Sequence, residues 1–77
     1  VTDKEFLQNL GKKVAFHRKD KGLSQNDLCA MINMEKPNLS AIENGRQNVT
    51  SLTLKKIADS LDIEVFLFFS RDLENKI

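Results

Sequence analysis

The sequence predicts an all-α domain of five helical segments. Apolar residues recur at spacings of three and four along most of the chain. Capping residues stand ahead of several of these runs, and only short polar or glycine-bearing stretches separate them. The 77 residues allow one domain, spanning 1–77. Folding at this size buries roughly 60–65% of the unfolded surface, so a single small core is expected.

Thr2 followed by Glu5 has the capping-box pattern, which starts a first helix near Asp3. Phe6, Leu7, Leu10, Val14, His17 and Arg18 then share one arc at about 100° per residue. Gly22 ends this helix, since it takes a left-handed backbone freely, with Lys19 and Lys21 in the last turn. Phe16 falls on the opposite side, as a possible contact.

Ser24 and Asp27 repeat the capping pattern with Asp in place of Glu. Leu28, Met31 and Ile32 give the second helix its apolar face, and Asn33, tolerant of the left-handed region, turns the chain. Pro37 suits only a first helical turn, which places a third helix at about Lys36–Asn44 with Leu39 and Ile42 inward and Gly45 closing it. Thr50 caps a fourth helix carrying Leu54, Ile57, Ala58 and Leu61. Periodicity alone does not separate helix from strand for residues 63–69, Ile-Glu-Val-Phe-Leu-Phe-Phe. The helical character of everything before them favours a fifth helix.

Composition narrows the function. One cysteine, Cys29, forbids an internal disulfide framework, and one histidine, His17, leaves no Cys/His metal cluster. No nucleophile–base or metal constellation is legible, so neither catalysis nor a cofactor is expected. The longest apolar run is Val65–Phe69, far below the about 20 residues that span a bilayer. With no secretory or transit pattern either, a cytoplasmic protein without membrane partners is expected. The formal charge of +1 hides an asymmetry: residues 12–56 carry nine cations against four carboxylates, and the flanks sum to −4. A basic middle fits a polyanion partner or simply solvated helix faces.

The stretch Leu23-Ser24-Gln25-Asn26-Asp27-Leu28, then Asn33, then Leu39-Ser40-Ala41-Ile42-Glu43-Asn44-Gly45-Arg46, resembles the Cro/C1-type (XRE-like) helix-turn-helix family of small bacterial and phage regulators. The resemblance runs from about residue 10 to 69. It implies a compact five-helix bundle of the lambda-repressor-like type, with the helix-turn-helix unit at about 24–45. It also implies a transcriptional regulator, repressor or controller, that reads the major groove with its third helix. An antitoxin-type autorepressor and a protein-interaction module are the alternatives.

The third helix has the required two-sidedness. Lys36, Pro37, Ser40, Ala41 and Asn44 share one half of its circumference, while Leu39, Ile42 and Glu43 share the other. Lys36 can donate to guanine O6 and N7, and Ser40 can donate or accept. Pro37 and Ala41 can contact a thymine methyl, and Asn38 sits at the edge of the face. Gln25, first after the Ser24 cap, is placed to meet a phosphate at the helix N-terminus. In relatives the stretch holding Asn44, Arg46, Gln47 and Asn48 clamps the sugar-phosphate backbone, although Asn44-Gly45 is also a generic helix-ending turn.

The resemblance further implies a partly buried ion pair between Arg18 and Glu43, and an inert Cys29 packed against the third helix. Glu35 departs from the preferred caps. Ala41 lacks the long polar side chain many relatives use, so specificity is expected to lean on DNA shape. Residues 63–77 are the expected dimerisation segment, with Phe66, Phe69 and Leu73 on an outward stripe that continues to Ile77. The expected partners are a second copy and an inverted-repeat operator in double-stranded DNA, with no small-molecule ligand.

Overall fold

Helix α1 covers Asp3–Asp20, α2 Gln25–Ile32, α3 Lys36–Glu43 and α4 Ser51–Leu61, followed by a single 3-10 segment at Val65–Phe69. These come from a computed structural model that describes residues 1–69. Each start has a local cause. Thr2 Oγ1 accepts from the Glu5 N–H at 3.1 Å, and Glu5 Oε1 accepts from the Thr2 N–H at 2.9 Å. Ser24 and Asp27 repeat this reciprocal pair at 3.0 and 2.9 Å. The Ser24 donors hold the Asp27 carboxyl below its ordinary pKa. The carboxylate half of the α2 cap is therefore complete at neutral pH and weakens as pH falls through that lowered value, while the Ser24 Oγ half persists. Thr50 caps α4 through the Thr53 N–H at 3.1 Å.

The turns are equally local. Asn33 takes the left-handed conformation with φ 56°, and the next N–H, from Met34, closes onto the Cys29 carbonyl at 3.0 Å. Asp62 does the same after α4 at φ 57°, with Ile63 N–H on the Ala58 carbonyl at 3.0 Å. Glu35 precedes α3 without a side-chain cap, and Pro37 lies in that helix's first turn. The missing N–H of Pro37 costs nothing there.

The core joins Leu10 and Val14 of α1, Leu28 and Cys29 of α2, and Leu39 of α3. Leu54, Ile57, Ala58 and Leu61 of α4 complete it, with Phe68 as its largest member. Each large apolar side chain in that set contributes about 1.5–3 kcal/mol by leaving water.

Three expectations need correction. The fifth helix is not an α-helix: after the Asp62 turn the chain makes only the 3-10 segment, and no strand occurs among the described residues. One tight turn is enough to insert Phe68, 1% exposed, under α1 and α4, and 3-10 runs rarely extend further. Met31 does not belong to the buried face of α2. It is 54% exposed, while Cys29 on the same helix is buried in the core. Phe6 is likewise half exposed instead of inward, and its ring stacks on Phe69 with centroids 6.3 Å apart.

Candidate nucleic-acid interface

Leu39, Ile42 and Glu43 anchor the inner half of α3. Lys36, Pro37 and Asn38 are exposed on its first turn, Ser40 and Ala41 are half-buried further along, and Asn44 is exposed at its end. Short and polar groups thus stand outward on a helix whose other side is fixed to the body of the domain. A helix of about 10–12 Å diameter with such a face can enter a major groove.

A buried polar cluster supports α3 from behind. Arg18 Nε donates to Glu43 Oε2 at 2.7 Å and Nη2 donates to Oε1 at 3.1 Å, with side chains 7% and 6% exposed. The remaining guanidinium nitrogen, Nη1, donates to the Leu23 carbonyl at 2.7 Å. Gln25 Nε2 donates to Glu43 Oε1 at 2.9 Å. Both carboxylate oxygens are satisfied, and the cluster ties the last turn of α1, the α1–α2 loop, the start of α2 and the end of α3.

Two glycines bring α1 against the exit from α3. A Cβ on Gly11 would fall within 3.0 Å of the main-chain carbonyl oxygens of Ile42 and Glu43. Gly45 has φ 71°, and a Cβ there would lie 2.7 Å from Gln8 Cα. The Gly45 turn reads from the sequence, but the role of Gly11 does not: a lone glycine inside a helical pattern carries no signal of what crosses it.

The expected phosphate-contacting residues have different surroundings. Arg46, Gln47 and Asn48 are exposed where the chain leaves α3. Asn44 turns its side chain back, Nδ2 donating to the Ser40 carbonyl at 2.8 Å and so closing the helix end. Gln25 is half-buried, with a donor already given to Glu43. This bond was not legible in the sequence.

Cys29 is buried, and burial, reinforced by the Glu43 charge, pushes its thiol pKa up, which leaves it a protonated, inert group behind α3. His17 lies between two rings, 5.1 Å from Phe16 and 6.0 Å from Phe68. Phe66 is 63% exposed on the 3-10 segment, whereas Phe69 is partly covered by Phe6. Leu73 and Ile77 lie outside the described residues. Among the described residues no group of three His, Cys, Asp or Glu side chains is placed to hold a metal ion, and no helix is long and apolar enough to cross a membrane.

A model of the helix-turn-helix family HTH_3 matches residues 16–68, from the last turns of α1 through Phe68. The chain belongs to the HTH_3 helix-turn-helix family. Over 67 residues the chain is 39% identical to the control protein C.MunI of Mycoplasma sp, spanning 86% of this chain and 89% of that one. The crystal structure of the restriction-modification controller protein C.AhdI from Aeromonas hydrophila is similar, with 32% identity and a TM-score of 0.79. The likeness covers 82% of this chain and 96% of C.AhdI. A second controller, C.Esp1396I, solved as a tetramer in complex with its natural 35 base-pair operator, matches at 28% identity and a TM-score of 0.73. It is covered to 84%, and this chain to 83%.

Proposed function

We propose that this chain is a sequence-specific, double-stranded-DNA-binding transcriptional regulator of the controller type, acting in the cytoplasm and without catalysis of its own. The observation that carries the reading is α3 itself, held from behind by buried Leu39, Ile42 and Glu43 and outwardly polar, within a fold that matches the controllers C.AhdI and C.Esp1396I. Lys36 is the principal base reader. Ser40, Asn38, Pro37 and Ala41 make the shorter contacts to base edges and methyl groups. Arg46 supplies a charged phosphate contact, and Gln47, Asn48, Asn44 and the α2 N-terminus at Gln25 supply neutral ones. The arrangement is of the lambda-repressor-like kind, with the 3-10 segment standing where a fifth helix is expected.

The test separates reading from gripping. Retention on mixed-sequence duplex, with affinity falling steeply as salt rises, is the expected behaviour. Lys36→Ala should cost about 1–3 kcal/mol on the preferred site and relax the preference at one base position. Arg46→Ala should weaken binding to all sequences alike and reduce the salt slope by about one. Equal losses for both variants on specific and random DNA would remove Lys36 from the reading set.

We further propose that two copies pair through the C-terminal end, where Phe66 and Val65 are exposed. A twofold pair would present its two α3 helices to successive major grooves, so the operator is an inverted repeat with half-sites about 10 base pairs apart or a multiple of that. Phe66→Ser should give a folded monomer with much weaker operator binding. Sedimentation of the unmodified chain as a monomer at high micromolar concentration would rule the pairing out.

A further inference from the structure

We infer that Gln25 is a positioning residue that locks the two phosphate-gripping ends of the DNA-facing surface to each other. The inference deepens the proposed function and rests on it. Gln25 is the first residue of α2 and Glu43 the last of α3, 18 positions apart in the chain and joined by the 2.9 Å bond from Nε2 to Oε1. The acceptor is fixed, because Arg18 holds both oxygens of the same carboxylate. Directly after Glu43 comes the exit turn, closed by Gly45 N–H on the Ile42 carbonyl at 3.1 Å and Arg46 N–H on the Ala41 carbonyl at 2.9 Å. Gly45 seats that turn against Gln8 of α1. Arg46 therefore leaves a helix end immobilised at Glu43, and the Gln25 bond is the part of that immobilisation contributed by a side chain of α2.

The chemistry favours keeping this bond when DNA is present. An amide donating to an ionised carboxylate already has a charged acceptor, and exchanging it for a phosphate oxygen trades one anion for another. A ligand with no differential affinity for two arrangements does not shift them. The backbone N–H groups opening α2, not the Gln25 amide, are left to meet the phosphate. Gln25 thus sets where Arg46 stands relative to the α2 N-terminus.

Gln25→Met preserves length and removes the bond. Duplex affinity is measured against salt for the unmodified chain, Gln25→Met, Arg46→Ala and the double variant. Gln25→Met is expected to bind about ten-fold more weakly and to lose part of the salt slope that Arg46 supplies. The double variant should then lie within about two-fold of Arg46→Ala alone. Full additivity with an unchanged slope in Gln25→Met would mean that Gln25 merely touches phosphate itself. That result overturns the inference and leaves the proposed function standing. Absence of salt-dependent DNA binding by the unmodified chain overturns both. Should Gln25→Met fail to fold, the side-chain amide resonance of Gln25 in the unmodified chain decides the matter. A slowly exchanging, hydrogen-bonded N–H in both the free and the DNA-bound protein is expected, and its loss on DNA binding overturns the inference.

Discussion

Glu43→Ala is expected to lower stability by about 3–5 kcal/mol, the usual cost of removing one partner from a buried, hydrogen-bonded ion pair. The loss is large because three donors converge on that carboxylate: Arg18 Nε, Arg18 Nη2 and Gln25 Nε2. Without it a guanidinium remains behind α3 with only the Leu23 carbonyl to accept from it. Burying an unpaired charge costs more than the intact pair contributes, so the single variant should fare worse than a double one. Arg18→Met combined with Glu43→Leu should recover most of the loss. A domain of this size has only about 4–11 kcal/mol in total, so much of the Glu43→Ala population should be unfolded at moderate temperature. Thermal denaturation of the single and double variants checks this. A fully stable Glu43→Ala with altered DNA affinity would place the residue in the recognition surface instead.

Gly11→Ala should lower stability by about 2 kcal/mol, against the direction that helix propensity alone dictates. In an isolated helix the change would stabilise by about 1 kcal/mol. Here the added methyl meets the carbonyl oxygens of Ile42 and Glu43, which are main-chain atoms and have no rotamer to move into. Overfilling a close-packed contact of this kind costs about 1–3 kcal/mol and occasionally more. The end of α3 has to lift away from α1, and the Arg18–Glu43 geometry is disturbed with it. A fall in melting temperature of roughly 8–16 °C is expected, together with weaker DNA binding. A raised melting temperature would show that the two helices have room to separate.

The two variants probe the same junction, but only one of them was foreseeable from the chain alone. Arg18 and Glu43 stand at positions that the family resemblance links. Gly11 has no such marker, and its importance lies in the carbonyls that cross it, 31 and 32 positions later in the chain. The residues proposed to face DNA divide in the same way. Lys36, Pro37 and Asn38 are exposed where the helical period puts them. The engagement of Gln25 with Glu43, and of Asn44 with the Ser40 carbonyl, depends on neighbours that no periodicity describes.

Signals confined to one turn of chain were sufficient for the four α-helices. Thr2–Glu5, Ser24–Asp27 and Thr50 cap the helices they open, and Asn33 and Gly45 end α2 and α3, because the bonds involved span only a few residues. The inward faces of α3 and α4 came from the helical period, since both helices present a single stripe to the core. Packing decided the rest. Met31 stands exposed while Cys29 of the same helix is buried, and Phe6 lies at the surface against Phe69 while Phe68 is in the core. These outcomes depend on which neighbours each side chain meets. The apolar run after Asp62 forms the 3-10 segment that carries Phe68 into the core and leaves Val65, Phe66 and Phe69 exposed. Contact with α1 and α4 sets that division, because a run this short has no periodicity to decide it.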